Sequence, residues 1–251
     1  MSAAHGGKPF FSEVSGNTRF KDWLRVGRWR SRYFDRRLSS SDDQAPLRAE
    51  LLSADQMEEF GRTLASMHSL SGERTRDRLL SRLDDNERVL VNTCRLLTDA
   101  LKNRSRIAPA GEWLLDNFYM IEEQIRTAKR HLPKNYSREL PRLGAGQSAG
   151  LPRVYDLALT AISHGDGRVD AETLSRFVSA YQTVTPLTLG ELWAIPIMLR
   201  LALIENLRRV SLRITNARAH VNRAREWASQ MVEMAESDPK NLIIVIADMA
   251  R

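Results

Sequence analysis

The sequence has little cysteine, glycine and proline. Of its 251 residues, one is cysteine, 13 are glycine and nine are proline. The single cysteine, Cys94, excludes a disulfide within the chain and a cysteine-rich zinc site, and its isolation fits a reducing compartment. The low glycine and proline content excludes a collagen-like or wholly disordered chain.

Long apolar runs are also missing. The first 30 residues contain no apolar run of the about 7 to 15 residues that a secretory signal needs. LWAIPIML, residues 192–199, is the best candidate for a membrane span, and Arg200 ends it after eight residues. LIIVIADMA, residues 242–250, is similarly short and carries Asp248. Because a spanning helix needs about 20 apolar residues, we expect no transmembrane segment in this chain.

The positive charge is concentrated near the start of the chain. The formal charge is +7, and residues 1–44 hold nine Lys/Arg against five Asp/Glu. We predict that residues 1–44 form a disordered basic tail. Arginines beside aromatic residues in RVGRWRSRYFDRR can bind phosphates, single strands or anionic lipid heads, but a solvated tail has the same composition. The candidate anionic-surface arginines are Arg25, Arg28, Arg30, Arg32, Arg36 and Arg37.

A helical period of apolar residues begins after this tail. Ser53 and Gln56 have the spacing of a capping box, which marks a helix start. A longer apolar seam follows from about Glu73 to Lys102, and Cys94 lies on it. We therefore predict that Cys94 is a buried core thiol and not a nucleophile.

The next predicted helix contains a conspicuous set of acids. PAGEWLLDNFYMIEEQI, residues 109–125, begins a helix that Pro133 ends. Its apolar residues form one stripe, and Glu112, Asp116 and Glu123 fall on the opposite side. This separation is typical of an amphipathic helix with one packed and one solvent-exposed face. We therefore interpret these acids as solvent-facing or partner-facing rather than catalytic.

The remaining chain continues the helical pattern, and no segment has a convincing period of two. We predict an all-α fold, a multi-helix bundle or stacked long helices. In it a very long helix from about Leu187 is kinked at Pro196, and a last short helix follows Pro239. The predicted organisation is a tail (1–44), N-terminal long-helix hairpins (45–133), a Pro/Gly-rich connector (134–153) and a C-terminal helical part packed on the first (154–251).

The sequence contains short matches to known ligand-binding motifs, but the residues around each match do not fit the motif. GAGQSA, residues 144–149, lacks the flanking strand and helix of a dinucleotide site. In HGDGRVDAET the calcium-loop positions one and twelve fall on Ile162 and Thr173, which are not carboxylates. None of the five histidines follows a glutamate at the Glu-x-x-His spacing. We predict no catalytic residue, cofactor or metal.

Four long sequence segments follow one another along the chain: GEWLLDNFYMIEEQI, LPKNYSRELPRL, GLPRVYDLALTAISHGDGRVD and PLTLGELWAIPIMLRLALIENLRR. Together they resemble the N-terminal region of the cyclic β-1,2-glucan synthases, over roughly residues 46–236. The helical period of apolar residues alone does not explain why these particular residues occur in the four segments. Members of that family are large bacterial inner-membrane glycosyltransferases that polymerise glucose from UDP-glucose and close the chain into a ring.

The resemblance implies a non-catalytic piece of a transferase. The family's membrane helices, glycosyltransferase domain and phosphorylase-like domain lie beyond the matching region, so no catalytic residue is carried over. Its implied partners are those downstream domains, and an anionic membrane surface is a further possibility, whereas nucleic acid is disfavoured. The implied location is the cytoplasm, with a position at the inner face of the inner membrane left open.

The four segments also suggest an interaction surface made of large aromatic and charged residues near helix breaks. One hypothesis is that these residues hold the helical layers together at the breaks between helices and that some contact other domains. The alternative is that they are ordinary core and capping residues. The candidates are Trp113, Asn117, Tyr136, Arg138, Arg153, Tyr155, Glu191 and Trp193.

Two other functions fit the residues. A free-standing helical adaptor would need no downstream membrane domain. A nucleic-acid or anionic-membrane binder would depend on the arginines of residues 1–44 and would lose affinity in salt.

Overall fold

The protein is mainly helical in the part that the computed structural model describes, residues 46–72 and 77–237. This confirms the predicted all-α class. The α-helices are α1 (Ala54–Met67), α2 (Leu79–Lys102), α3 (Pro109–Asp116), α4 (Phe118–His131), α5 (Arg153–His164), α6 (Ala171–Gln182) and α7 (Leu189–Ser237). Two short strands, β1 (Leu70–Ser71) and β2 (Arg142–Leu143), and a 3₁₀ turn (Tyr136–Arg138) complete the set.

Local sequence signals set several helix starts. The Ser53 side chain accepts from the Gln56 backbone N–H while the Gln56 side chain accepts from the Ser53 N–H, which confirms the predicted capping box. Asp170 caps α6 by accepting from the Thr173 N–H at 2.7 Å. That hydrogen bond lowers the pKa of Asp170.

Helix α7 is the element on which most of the fold packs. It contacts α2, α4 and α5, while α1 packs against α6. The α1–α6 layer closes over a core that includes Met57, Leu157, Phe177 and Tyr181. Cys94 is buried on α2, as predicted, and burial raises its pKa to about 12.

The predicted single helix from Pro109 to beyond Ile125 is wrong at one point. The helix is interrupted at Asn117, between α3 and α4, where the φ and ψ angles are −102° and 6°. The Asn117 side-chain amide donates to the Trp113 carbonyl at 2.8 Å. This local bond lies at the end of α3, where it adds to the backbone bond from the Asn117 N–H to the same carbonyl. The apolar stripe continues through Leu114 and Phe118 without interruption.

The connector between the two helical parts is more ordered than its composition indicates. Strand β2 pairs antiparallel with β1, so that Leu70 faces Leu143 and Ser71 faces Arg142. The Arg142 guanidinium is buried and donates to the carbonyls of Gly150 and Ser137. These bonds hold the turns of the connector to one another, as buried polar groups require partners.

Two other predicted elements change or lie elsewhere. The second helix begins at Leu79, six residues after the predicted start at Glu73. The tail and the last short helix, predicted after Pro239, lie outside the described residues. Within the part of the chain that the structure describes, no helix is apolar over enough residues to cross a membrane.

Candidate functional site

Three of the predicted interface residues are buried. Arg153, Tyr155 and Glu191 are 2%, 1% and 0% exposed. The Arg153 guanidinium, at the first turn of α5, binds both carboxylate oxygens of Glu191, with Nε–Oε1 at 2.6 Å and Nη2–Oε2 at 2.8 Å. A bidentate pair of this kind fixes both position and orientation, so the two helix starts are locked to each other.

Glu191 also caps the helix that carries it. Its carboxylate accepts from the Thr188 backbone N–H at 2.8 Å and from the Thr188 hydroxyl at 3.0 Å. The Thr188 hydroxyl in turn accepts from the Glu191 N–H at 3.3 Å. This is a reciprocal capping box at the start of α7, and the Thr-x-x-Glu spacing was a sequence signal that could have located it.

The Arg153–Glu191 pair continues into a second polar cluster. Arg153 lies over the Tyr181 ring at 5.9 Å, and the Tyr181 hydroxyl lies 2.9 Å from His68 Nδ1. The other ring nitrogen of His68 lies 3.1 Å from Asp156 Oδ2. Burial raises the pKa of Tyr181. Because both His68 nitrogens have protein partners, the imidazole joins α1, α5 and α6 as a structural crosslink.

A second buried carboxylate lies further along α7. Glu205 is fully buried and is bound by three arginines. Arg82 of α2 donates at 2.9 and 3.2 Å, while Arg208 and Arg209 of α7 donate at 2.8 and 3.1 Å. Burial opposes ionisation, but the charges of Arg82 and Arg208 outweigh it and lower the pKa of Glu205 to about 2. Glu205 is therefore a permanent anion at neutral pH.

The sequence did not reveal the burial of these two acids. The expectation that acids lie mostly in water holds for Glu112, Asp116 and Glu123, which are exposed. Glu191 and Glu205 differ from them, because both are completely buried. The Glu-x-x-Arg-Arg spacing of Glu205 predicts helical ion pairs, but only the distant Arg82 shows that the carboxylate is buried.

The other predicted interface residues lie at or near the surface. Trp113 and Trp193 are 53% and 77% exposed. Asn117 and Tyr136 are half-buried, and Arg138 is exposed on the 3₁₀ turn. The eight candidates therefore divide into a buried ion-pair group on α5 and α7 and a separate set of surface residues. The candidate arginines 25–37 lie outside the described residues.

The arrangement is suited to holding helices in register and presenting surface aromatics. A general base must be able to accept a proton near the working pH, and Glu205 cannot because its pKa is about 2. Among residues 46–72 and 77–237, no group of three or more His, Cys, Asp and Glu side chains converges as a metal site would. The described part of the molecule is thus an all-helical body with internal ion pairs.

A curated protein is similar in sequence to much of this chain. A stretch of 161 residues, 64% of the chain, is 33% identical to the cyclic beta-(1,2)-glucan synthase NdvB of Rhizobium meliloti (strain 1021). The chain is therefore related to a part of that synthase, which confirms the resemblance predicted from the four sequence segments. The match spans 6% of the length of the relative. No family model matches the chain.

Proposed function

We propose that residues 46–237 form a non-catalytic docking module of a glucan-synthase-like glycosyltransferase. Its role is to organise neighbouring domains, and UDP-glucose is handled by them. The sequence relation to a cyclic β-(1,2)-glucan synthase supports the context. The buried acids support the absence of a reaction, because Glu191 and Glu205 are engaged by arginines and have no access to a substrate.

The observation that carries the docking role is the exposure of Trp193. Its side chain is 77% exposed on the second turn of α7, and Leu189, one turn earlier on the same face, is 70% exposed. Two residues away, Glu191 is fixed by Arg153. An indole presented on a rigid helix start is a typical interface anchor, since little conformational entropy is lost when a partner covers it.

The non-catalytic part is tested with the purified 251-residue chain and UDP-glucose. We expect no release of UDP and no glucan above the level of a heat-denatured sample. Release of UDP in proportion to the amount of folded chain would overturn this part of the proposal.

The docking part requires an intact synthase in which residues 46–237 replace the aligned segment. We expect Trp193→Ala to reduce glucan output at least tenfold while the enzyme remains folded, and Trp193→Phe to retain most of it. Met67→Ala is the matched control, because Met67 is 74% exposed at the end of α1. Full output from Trp193→Ala would exclude Trp193 as the anchor.

A further inference from the structure

From Leu207 onward, α7 carries an apolar stripe with a heptad period. The spacing alternates between three and four residues over about 36 Å of helix, as in a coiled-coil seam. The stripe consists of Leu207, Val210, Ile214, Ala217, Val221, Ala224, Ala228 and Met231.

The beginning of this stripe is already covered by a helix. Leu207, Val210 and Ile214 face α3 across an apolar cavity of about 170 Å³, with Trp113 among the lining residues. Gly111 of α3 comes so close that an added Cβ would lie 3.8 Å from the Ile214 side chain. The fold itself therefore uses this seam for helix packing.

Beyond Ile214 the same seam is uncovered. Ala217, Ala224 and Ala228 are exposed, and Val221 is 50% exposed. The exposed stretch continues the line of the α3 contact along one helix, so a second helix can extend the established packing without any change in α7.

Arginines flank the uncovered seam. Arg213, Arg218 and Arg225 occupy the positions adjacent to it in the heptad. Within the described residues Arg213 and Arg225 make no ion pair, and Arg218 donates to the Arg106 carbonyl at 3.1 Å. A partner helix with Glu or Asp at its own flanking positions would complement these charges.

The same pattern disfavours two other occupants. A second copy of α7 would place Arg218 and Arg225 beside like charges, while Glu226 and Glu233 lie on the side away from the seam. A lipid surface requires large apolar side chains, but three alanines of the seam offer little area to bury. Small residues instead favour close approach of another helix.

We propose that the exposed half of α7 is a coiled-coil docking site for an acidic amphipathic helix. The partner has small or medium apolar residues along its seam and glutamate or aspartate beside them. This inference deepens the proposed docking function by naming the kind of partner that the module takes.

The probe is a fluorescent four-heptad peptide with Ala and Leu in its seam and Glu at the flanking positions. A matched peptide carries Lys in place of those Glu residues. By fluorescence anisotropy with the full 251-residue chain, we expect the Glu peptide to bind at least tenfold more tightly than the Lys peptide. Equal affinity for the two peptides would overturn the proposal.

Paired substitutions on α7 locate the site. Ala224→Asp places a charge in the seam and should weaken binding of the Glu peptide at least tenfold. Ala219→Asp changes an exposed alanine on the opposite face and should leave binding unchanged. Both positions are exposed, so circular dichroism should show the wild-type fold for each variant. Equal effects of the two substitutions contradict a seam.

Charge reversal supplies an independent check. The double variant Arg218→Glu and Arg225→Glu should prefer the Lys peptide. Sedimentation that shows a dimer abolished by Ala224→Asp would identify a second copy as the occupant and overturn the proposal. Binding to anionic phosphatidylserine vesicles that is abolished by Ala224→Asp would overturn it in favour of lipid. These results do not depend on glucan output, so they separate from a failure of the docking function tested at Trp193.

Discussion

Arg153 and Glu191 lie 38 positions apart in the sequence and form a bidentate ion pair that is almost completely shielded from water. The hydrogen bond to Glu191 raises the pKa of Arg153 against the opposing effect of burial. Both residues lie in the first turn of a helix, so the pair fixes the start of α5 against the start of α7. Both carboxylate oxygens of Glu191 are bound by Arg153, and an unpaired charge in the same place would be strongly destabilising.

Glu191→Gln should destabilise the fold by roughly 3–5 kcal/mol, because it leaves the Arg153 charge buried without a counter-charge. Glutamine can still serve the capping box with Thr188, so the change isolates the loss of charge. Urea unfolding followed by far-UV circular dichroism measures the effect. Glu123→Gln is the control: its exposed pair with Arg126 should contribute less than about 1 kcal/mol. A loss for Glu191→Gln no larger than for the control contradicts the buried-pair argument.

Glu205 should make stability depend on acid pH. Its pKa is lowered from 4.5 to about 2 in the folded chain. The stabilisation is therefore fully present above pH 4.5 and is lost as the pH falls towards 2, because the unfolded state binds the proton first. The difference in unfolding free energy between wild type and Glu205→Gln should shrink from pH 7 to pH 3. A gap that stays constant would show that ionisation of Glu205 is not linked to folding.

Gly61→Ala should destabilise the contact between α1 and α6 by roughly 1–3 kcal/mol. A Cβ at Gly61 would lie 2.8 Å from the Phe177 carbonyl oxygen and 3.1 Å from its ring, so the helices would have to separate. This cost exceeds the gain in helix propensity of about 1 kcal/mol. Gly190→Ala, with nothing within 4 Å of the added Cβ, should be neutral or stabilising in the same urea experiment. Similar stability of the two variants would exclude a tight α1–α6 contact.

The helical class and several local features could be predicted because their causes lie within a few residues. The Ser53–Gln56 capping box and the burial of Cys94 follow from short-range spacing and the apolar seam. The break at Asn117 could not be read in the same way, since the apolar stripe has the same period on both sides of it. At the boundary the Asn117 side-chain amide is bonded to the Trp113 carbonyl, which the apolar period does not predict.

The ion-pair site was only partly accessible from the sequence. Arg153 and Glu191 stood out because they belong to the sequence segments that carry the family resemblance. Their pairing, however, depends on the packing of α5 against α7. The same holds for Arg82, which reaches Glu205 from α2 across 123 positions. Long-range partners of this kind leave no local pattern, so burial of the two acids had to come from the structure.

The distribution of acids along α7 has a mechanical consequence. Glu191 and Glu205 are 14 residues apart, about four turns of helix, and each is held by an arginine from a different helix. Sliding or twisting of α7 by one residue would break both pairs at once and strand several charges in the interior. The long rod is thus pinned at two points, and a force applied at its far end would reach the body as rigid tilting rather than as slippage.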